Sequence, residues 1–255
     1  MPRRALIVGL GLIGGAAGMA LRSRGWRVAY VDPYVDESDA RAANAADERR
    51  GQIVGDEEVV LLATPVGVAA ALLGGELSAW QGVVTSVCSV LAPLRTAAGP
   101  AAFVAGHPLA GSERRGLAAA RAGLFQDRKW FVDREDGLVD EVIQACGARR
   151  VLVDAAEHDA AMALTSHLPQ LLSTALAAAL DDVDVDTFGG SGLDTFLRLA
   201  GSDVSVWAPI LEANRGNIRA HFDRVVAIAR SLIDGDPAEA FERANEVHRS
   251  LLAGS

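Results

Sequence analysis

The sequence predicts an α/β fold, in which a doubly wound, mostly parallel sheet is followed by an all-helical C-terminal domain. Short apolar runs typical of buried parallel strands alternate with helical segments from the N-terminus to about Asp154. From Ala155 onward every segment has helical periodicity. We therefore divide the chain into residues 1–154 and residues 155–255.

A glycine-rich turn follows the first apolar run. Residues 5–8 form that run, and Gly9-Leu10-Gly11-Leu12-Ile13-Gly14 matches the pattern G-x-G-x-x-G. A helical segment from Ala16 and a second apolar run then lead to Asp32. Strand, glycine turn, helix, strand and acid form the dinucleotide-binding fingerprint, so the predicted sheet is Rossmann-like. Arg3-Arg4 and the apolar residues after it could also begin a signal peptide, but the glycine density and the lack of a cleavage site argue against one.

Each part of the fingerprint has a physical task. Gly9 permits the tight turn, Gly11 lets a pyrophosphate approach the backbone, and Gly14 lets the helix pack close to the sheet. Free N–H groups at the helix N-terminus attract phosphates. Asp32 can accept hydrogen bonds from both ribose hydroxyls, and its charge would repel a 2′-phosphate. Residues 9–14 and Asp32 therefore predict NAD rather than NADP as the cofactor.

Composition narrows the class of protein further. The net charge is −9, the pI is about 5.0 and no basic tract is present, which argues against nucleic acid as a partner. Cys88 and Cys146 lie in apolar surroundings without metal-type spacing, so we expect reduced, buried thiols, no metal and a cytoplasmic location. No apolar stretch of the sequence is long and clean enough to span a bilayer.

Strands and helices are predicted to alternate through the rest of the N-terminal part. Residues 58–63 end in Thr64-Pro65, where a parallel strand of a doubly wound sheet meets its cofactor. Thr64 and Pro65 therefore either contact the nicotinamide half of NAD or form an ordinary turn. The other predicted strands are residues 82–87, 103–106, 130–133 and 149–154, the last two at the sheet edge, and the predicted helices are residues 36–50, 66–77, 91–97 and 137–146.

A histidine follows one of these strands. His107 precedes a proline, so we expect it on a rigid loop rather than in a core. Its position at the carboxyl end of a strand favours a functional role over a loop histidine without a task. Ser112 and Glu113 are close enough in sequence to contact a ligand or orient the imidazole.

The predicted helices of the C-terminal part contain a few polar residues. Pro169 kinks a long helix of residues 157–180 beside His167, and the residues alone favour a core histidine there. Arg198 is either a surface side chain or an anion clamp. The remaining predictions are a loop at residues 181–192, a helical segment at 193–201, one amphipathic helix at 204–233 with Asn214 on its apolar face, and a last helix that starts at 236–239.

A helical domain this rich in leucine and alanine often buries one face against a second copy of itself. We therefore predict a homodimer through residues 155–255. A compact monomeric bundle is the alternative.

Taken together, these motifs resemble the prephenate/arogenate dehydrogenase family, the TyrA-type enzymes of tyrosine biosynthesis, over nearly the whole chain. Many dehydrogenases share the glycine fingerprint alone. The histidine-proline segment combined with the later serine-histidine and arginine motifs is more specific. The resemblance is carried by residues 9–14, Ala63-Thr64-Pro65-Val66, Ser89, residues 107–113, Ser166-His167-Leu168-Pro169, Arg198-Leu199-Ala200, Ser202-Asp203 and Trp207.

The resemblance implies NAD-dependent oxidative decarboxylation of a small cyclohexadienyl substrate, prephenate, to 4-hydroxyphenylpyruvate. His107 would accept the proton of the C4 hydroxyl while hydride passes to NAD⁺ and carbon dioxide leaves C1. Ser89 would hydrogen-bond the same region. Arg198 would hold a substrate carboxylate and His167 would line the pocket, in a cleft between the domains.

The sequence departs from the family pattern at two positions. Leu91 stands where the family commonly has a lysine, and Asp194 stands where it commonly has an arginine. Both changes remove positive charge near the expected pocket. Arogenate, which has an amino group where prephenate has a keto group, or another amino-substituted analogue is therefore the alternative substrate.

Two other classes of protein compete with this hypothesis. A β-hydroxyacid dehydrogenase also joins a Rossmann domain to a helical domain, but it would use a lysine of the helical domain, and the single lysine here is Lys129. A non-catalytic NAD-binding sensor would keep the glycine turn and need neither His107 nor Arg198.

Overall fold

A computed structural model describes residues 1–111 and 114–253 of the chain. The strands of this part are β1 (Arg4–Val8), β2 (Arg27–Val31), β3 (Glu48–Arg49), β4 (Val59–Leu62), β5 (Val83–Ser86), β6 (Phe103–Val104), β7 (Gly106–Pro108), β8 (Lys129–Val132) and β9 (Arg149–Leu152). Its helices are α1 (Leu12–Ser23), α2 (Glu37–Ala42), α3 (Val66–Gly74), α4 (Ala92–Ala98), α5 (Gly137–Ala145), α6 (Ala155–Met162), α7 (Leu168–Ala178), α8 (Val185–Phe188), α9 (Ser191–Leu197), α10 (Val204–Ala213), α11 (Arg215–Asp234) and α12 (Ala238–Ala253).

The predicted fold class is confirmed. In the described residues, a six-stranded parallel sheet has the order β3-β2-β1-β4-β5-β6, and a separate three-stranded sheet has the order β7-β8-β9. Every segment from α6 to α12 is helical. The strand order changes direction on either side of β1, so the carboxyl ends of β1 and β4 flank the crevice where doubly wound sheets bind ligands.

Both faces of the large sheet are buried. Successive residues of β1 point to opposite faces, so Ala5 and Ile7 pack with α1 and α5, whereas Leu6 and Val8 pack with α3 and α4. Ile210 of α10 belongs to the second of these cores. The helical part therefore packs on the α3–α4 side of the sheet.

The predicted strand at residues 103–106 is wrong in its extent, because the chain leaves the large sheet at Ala105. The N–H of Ala105 donates to Asp133 Oδ1 at 2.9 Å instead of to a neighbouring strand. Arg95 pairs with the other oxygen of Asp133 at 2.5 Å. The chain continues as β7, which pairs antiparallel with β8. The prediction that residues 130–133 and 149–154 lie at the edge of the large sheet is therefore wrong, since β8 and β9 belong to the second sheet.

Three predicted helical boundaries in the chain are also corrected. Residues 36–50 are helical only over α2, because Asn44 adopts a left-handed φ of 56° that ends the helix, and β3 follows. The predicted helix at 204–233 divides into α10 and α11 at Asn214, whose side chain turns into the interior. The predicted loop at 181–192 contains α8 and the start of α9.

We expect Gly14→Ala to destabilise the fold and Gly11→Ala to leave it intact. A Cβ on Gly14 would lie 1.9 Å from the carbonyl oxygen of Gly9, whereas a Cβ on Gly11 would meet nothing within 4 Å. Overpacking at Gly14 should lower the free energy of unfolding by about 2 kcal/mol or more, or roughly 4–8 °C in Tm. Thermal unfolding of the two variants beside the wild type measures this.

NAD titration of the same pair adds an independent check. The Gly11 methyl would stand where the pyrophosphate must approach, so Gly11→Ala should keep its Tm and lose NAD affinity. An unchanged Tm in Gly14→Ala, or full NAD affinity in Gly11→Ala, would contradict the predicted tasks of these glycines.

Candidate active site

The glycine turn and Asp32 are held together at the carboxyl end of the large sheet. Gly9 follows β1 with a φ of +92°, a conformation that favours glycine. The N–H of Leu10 donates to Asp32 Oδ2 at 2.7 Å. The open backbone at Gly11 and the acceptor oxygens of Asp32 fit the pyrophosphate and ribose of a dinucleotide.

Thr64 packs against this turn from the end of β4. A Cβ on Gly9 would lie 2.6 Å from the Ala63 carbonyl oxygen and 3.2 Å from Thr64 Cγ2. Thr64 Oγ1 is buried and has no hydrogen-bond partner in the described part of the chain. The Cys88 thiol donates to the Thr64 carbonyl oxygen at 3.5 Å, which places the segment after β5 beside the turn. Thr64 and Pro65 therefore stand at the predicted cofactor end, and their contact with NAD stays a prediction.

A chain of buried hydrogen bonds begins at His107. Its Nδ1 lies 3.0 Å from His158 Nε2, and His158 Nδ1 lies 2.8 Å from Asp159 Oδ1. His107 belongs to β7, while the other two residues belong to α6. The rings of His107 and His158 meet edge to face with centroids 5.1 Å apart. The second sheet and the helical part thus meet at these imidazoles.

The series of hydrogen bonds ends at the Asp159 carboxylate, which also accepts hydrogen bonds from main-chain N–H groups. Oδ1 accepts the N–H of Leu91 at 2.8 Å, and Oδ2 accepts the N–H of Ala92 at 2.9 Å. Asp159 is 3% exposed. A buried carboxylate is stable only when it is paired and hydrogen-bonded, and three N–H donors supply those bonds here.

His167 lies on a second branch from the same residue. Asn214 Nδ2 donates to the Asp159 carbonyl oxygen at 2.7 Å and lies 3.1 Å from His167 Nδ1. The Trp207 ring packs on the imidazole with centroids 6.1 Å apart. His167 Nε2 is buried and has no hydrogen-bond partner in the described residues. An unpaired buried group costs about 1–3 kcal/mol, so a ligand atom that bonds to this nitrogen would recover that energy.

Burial keeps both imidazoles neutral. Desolvation, with smaller contributions from His158 and His167, lowers the pKa of His107 from 6.5 to about 3. Desolvation also lowers the pKa of His167 from 6.5 to about 4, against the opposing charge of Asp159. A neutral imidazole at His107 can accept a proton.

The expectation that His107 lies on a loop outside any core is wrong. Its backbone pairs with Phe131 of β8, and its side chain is buried. Ala105 and Gly106 carry the chain directly from one sheet into the next, so no loop separates the histidine from the strand. The expectation that His167 is a buried histidine agrees with its 1% exposure, although its Nε2 is unsatisfied.

The other predicted site residues differ in their surroundings. Ser89 is half-buried and lies two residues before Leu91, whose N–H holds Asp159. Arg198 is exposed at the end of α9, and within residues 1–111 and 114–253 no hydrogen bond or ion pair joins it to the buried histidines. Ser112 and Glu113 lie outside the described residues.

Sequence analysis overlooked His158 and Asp159. Both lie in a helix whose apolar and polar residues have little periodicity, so nothing in the local pattern distinguishes them from a solvated face. The sequence did single out Asn214, because it is a polar residue on the apolar face of a predicted helix. His158, Asp159 and Asn214 are recognised as partners of the site only through contacts that span 47 to 68 residues.

The glycine turn with its acid, beside buried histidines at the meeting of a Rossmann sheet and a helical domain, defines an NAD-dependent dehydrogenase. Comparison with protein families gives the particular family. Residues 17–151 match the prephenate dehydrogenase nucleotide-binding domain, and residues 154–243 match the prephenate dehydrogenase dimerization domain. The chain belongs to the prephenate dehydrogenase family, as the sequence motifs predicted.

Individual relatives agree with this assignment. The chain is 26% identical to a prephenate dehydrogenase of Lactococcus lactis, over 98% of this chain and 79% of the relative. It is 31% identical to the probable prephenate dehydrogenase NovF of Streptomyces niveus, over 91% of this chain and 68% of the relative. The prephenate dehydrogenase of Aquifex aeolicus, solved with hydroxyphenyl propionate and NAD⁺, superposes with a TM-score of 0.81 at 25% identity and covers 100% of this chain and 97% of that one.

Among the described residues, no helix has the length and apolar character needed to cross a membrane.

We expect the fold to lose stability as the pH falls from about 6.5 towards 3. The lowered pKa values of His107 and His167 mean that the unfolded chain binds protons that the folded chain does not. Their contribution is therefore complete above the unfolded pKa and is lost through the folded values. Each histidine contributes up to about 1.4 kcal/mol per pH unit in that window. Urea unfolding from pH 7 to pH 4 measures the slope.

A matched pair of variants isolates the effect from other titrating groups. His167→Asn should reduce the slope, whereas His248→Asn, at an exposed position of α12, should leave it unchanged. Equal slopes in all three proteins would contradict a neutral, buried His167.

Proposed function

We propose that the chain oxidises and decarboxylates prephenate with NAD⁺, and forms 4-hydroxyphenylpyruvate in tyrosine biosynthesis. The observation that carries the proposal is the buried His107 of β7, whose Nδ1 lies 3.0 Å from His158 Nε2 where the second sheet meets the helical part. Membership of the prephenate dehydrogenase family supports the substrate. The Aquifex aeolicus relative was solved with hydroxyphenyl propionate and NAD⁺, which supports a small aromatic acid as the ligand class and NAD as the cofactor.

The proposed reaction needs a base, a hydride acceptor and substrate orientation. Residues 9–14 and Asp32 would hold NAD⁺, which would supply the acceptor for the hydride of C4. His107 takes the proton of the C4 hydroxyl as the hydride leaves. The C1–carboxylate bond then breaks, its electron pair makes the ring aromatic, and the ring oxygen regains a proton. A positioned base adds on the order of 10²–10⁴-fold and orientation roughly 7–11 kcal/mol.

Other residues are proposed to hold the substrate. The unpartnered Nε2 of His167 supports hydrogen bonding to an oxygen of the substrate. The guanidinium group of Arg198 can donate two parallel hydrogen bonds to a carboxylate. Ser89 lies in the segment after β5, which contacts Thr64. Ser112 and Glu113 keep their proposed role near the substrate. We also propose residues 1–154 as the NAD-binding domain and residues 155–255 as the substrate and dimerisation domain.

Arogenate is the alternative substrate, and NADH formation decides between the two. Purified protein with NAD⁺ is given prephenate and, separately, arogenate, and absorbance at the NADH band is followed. We expect prephenate to be oxidised. Turnover of arogenate alone would show that arogenate is the substrate, and the proposed mechanism would still apply. Activity on neither, with NAD bound, would overturn the proposal in favour of a sensor.

We expect His107→Asn to lower kcat by roughly 10²–10⁴-fold, which is the contribution of a positioned base, and to leave the Kd for NAD nearly unchanged. The asparagine amide can still donate towards His158 while the accepting ring nitrogen is lost. His248→Asn is the matched control on an exposed helix and should behave as the wild type. A His107→Asn variant that retains turnover would exclude His107 as the base.

We propose that the chain forms a homodimer through its helical part. Large apolar side chains of α11 and α12 are exposed, including Ile233 at 82%, Phe241 at 62% and Val247 at 62%, and a second copy would cover them. Light scattering after gel filtration should give twice the chain mass. Phe241→Glu should shift it towards the monomer, whereas Val54→Glu, at an exposed apolar position of the first domain, should not. A monomeric wild type would refute the homodimer.

A further inference from the structure

We propose that Asp159 is a positioning residue that fixes two histidines in opposite neutral tautomers, through His158 on one branch and Asn214 on the other. In this arrangement His107 has an unprotonated Nε2, and His167 has a protonated Nε2. The tasks of these two nitrogens in turnover depend on the proposed function. The tautomers themselves do not.

The first branch determines which ring nitrogen of His107 carries the proton. The Asp159 carboxylate only accepts hydrogen bonds, and it already accepts the N–H groups of Leu91 and Ala92. His158 Nδ1, at 2.8 Å, must therefore carry a proton and donate it. A neutral imidazole has one N–H, so His158 Nε2 is an acceptor. His107 Nδ1, at 3.0 Å, then supplies the proton of that bond, and His107 Nε2 carries no proton and can accept one.

The second branch determines which ring nitrogen of His167 carries the proton. A backbone carbonyl oxygen only accepts, so the 2.7 Å contact to the Asp159 carbonyl identifies the amide nitrogen of Asn214. The other N–H of this amide is directed to His167 Nδ1 at 3.1 Å, which must accept it. Asn217 Nδ2 donates to Asn214 Oδ1 at 2.8 Å and completes the assignment. His167 Nε2 therefore carries the proton, and this is the buried nitrogen without a partner.

Local structure explains how one residue reaches both branches. Asp154 caps α6 by accepting the N–H groups of Ala156 and Glu157, which stabilises the first turn of the helix that carries His158 and Asp159. A π-helical turn, Ala163–His167, follows α6 and shifts the register of the side chains beyond it. His167 at the end of that turn consequently lies beside Asn214 at the break between α10 and α11.

The opposite tautomers give the site one acceptor and one donor. His107 Nε2 can take a hydroxyl proton, and His167 Nε2–H can donate to a carboxylate or carbonyl oxygen of the same substrate. When His107 becomes protonated, its Nδ1–H still donates to His158, and Asp159 supplies negative charge at the end of the chain. Asp159 and Asn214 thus act through the histidines and need no contact with the substrate.

The direct test is an NMR spectrum of the ring nitrogens in protein labelled with ¹⁵N-histidine, recorded at pH 7 with NAD⁺ and no substrate. The sequence has five histidines, and single substitutions assign the signals. We expect the Nδ1–H tautomer at His107 and His158 and the Nε2–H tautomer at His167. An Nε2–H tautomer at His107, a charged His158, or an Nδ1–H tautomer at His167 would overturn the proposal.

Variants test the consequence for turnover. In Asp159→Asn the amide N–H can face His158, which reverses the chain and moves the His107 proton to Nε2. We expect kcat to fall by roughly 10³–10⁴-fold, the order seen when an aspartate that orients a catalytic histidine becomes asparagine, with little change in the Kd for NAD. Asn214→Leu should move the His167 signals and raise KM more than it lowers kcat.

Asp154→Ala is the control for loss of structure. It removes the α6 cap, so Tm should fall while the ring-nitrogen signals and kcat stay as in the wild type. If Asp159→Asn does not fold, His158→Gln and His158→Leu replace it. Glutamine can accept from His107 and donate to Asp159, so it should retain activity within roughly 10-fold, whereas leucine should lose roughly 10²-fold or more.

The experiments can reject the proposed function and the positioning role of Asp159 independently of each other. Expected tautomers in a protein that oxidises neither prephenate nor arogenate would reject the proposed function and keep the positioning role. Prephenate turnover with the opposite tautomers, or with His158→Leu as active as His158→Gln, would reject the positioning role and keep the function.

Discussion

The burial of the Asp159 carboxylate is the constraint on which the site depends. A charge at 3% exposure is tolerated only when its oxygens are saturated with donors, and these come from two different parts of the chain. Main-chain N–H groups of residues 91 and 92 lie at the start of α4, which packs on the large sheet, and the imidazole of His158 belongs to α6. The carboxylate consequently fixes the helical part against the sheet at the same point where it orients the imidazoles. The same hydrogen-bonded carboxylate therefore stabilises the contact between the two parts of the chain and orients the imidazoles of the site.

Contacts link the cofactor turn to the buried histidines without a gap. Gly9 packs on Thr64, the Thr64 carbonyl accepts from Cys88, and the segment after Cys88 supplies the donors for Asp159. Each step lies at the carboxyl end of a parallel strand of the large sheet. The split of the chain at Ala105 adds the remaining piece, because it moves β7 out of that sheet and brings His107 to His158. A loop histidine would not have met α6 in this way.

The sequence allowed prediction of the features that depend on local residues. The glycine turn, Asp32, the strand–helix alternation and a functional role for His107 follow from local patterns, and the family motifs added the role of His167. The tautomer network was beyond sequence reasoning, because the bonds that connect its separate segments join residues 47 to 68 positions apart. The second sheet was missed for a similar reason. Nothing near residues 103–106 reveals that Asp133 will accept the Ala105 N–H.

The two departures from the family pattern differ in physical meaning. The Leu91 side chain is fully buried in the core that includes Ile210, and its backbone N–H already serves Asp159, so packing accounts for an apolar residue there. Asp194 is exposed and lies four residues before Arg198, so the two share one helix face. A carboxylate at that spacing offsets part of the charge with which Arg198 would attract a dianionic substrate. Any preference for an amino-substituted substrate would therefore originate at α9 rather than at residue 91, and the polarity of the two histidines would serve either substrate equally.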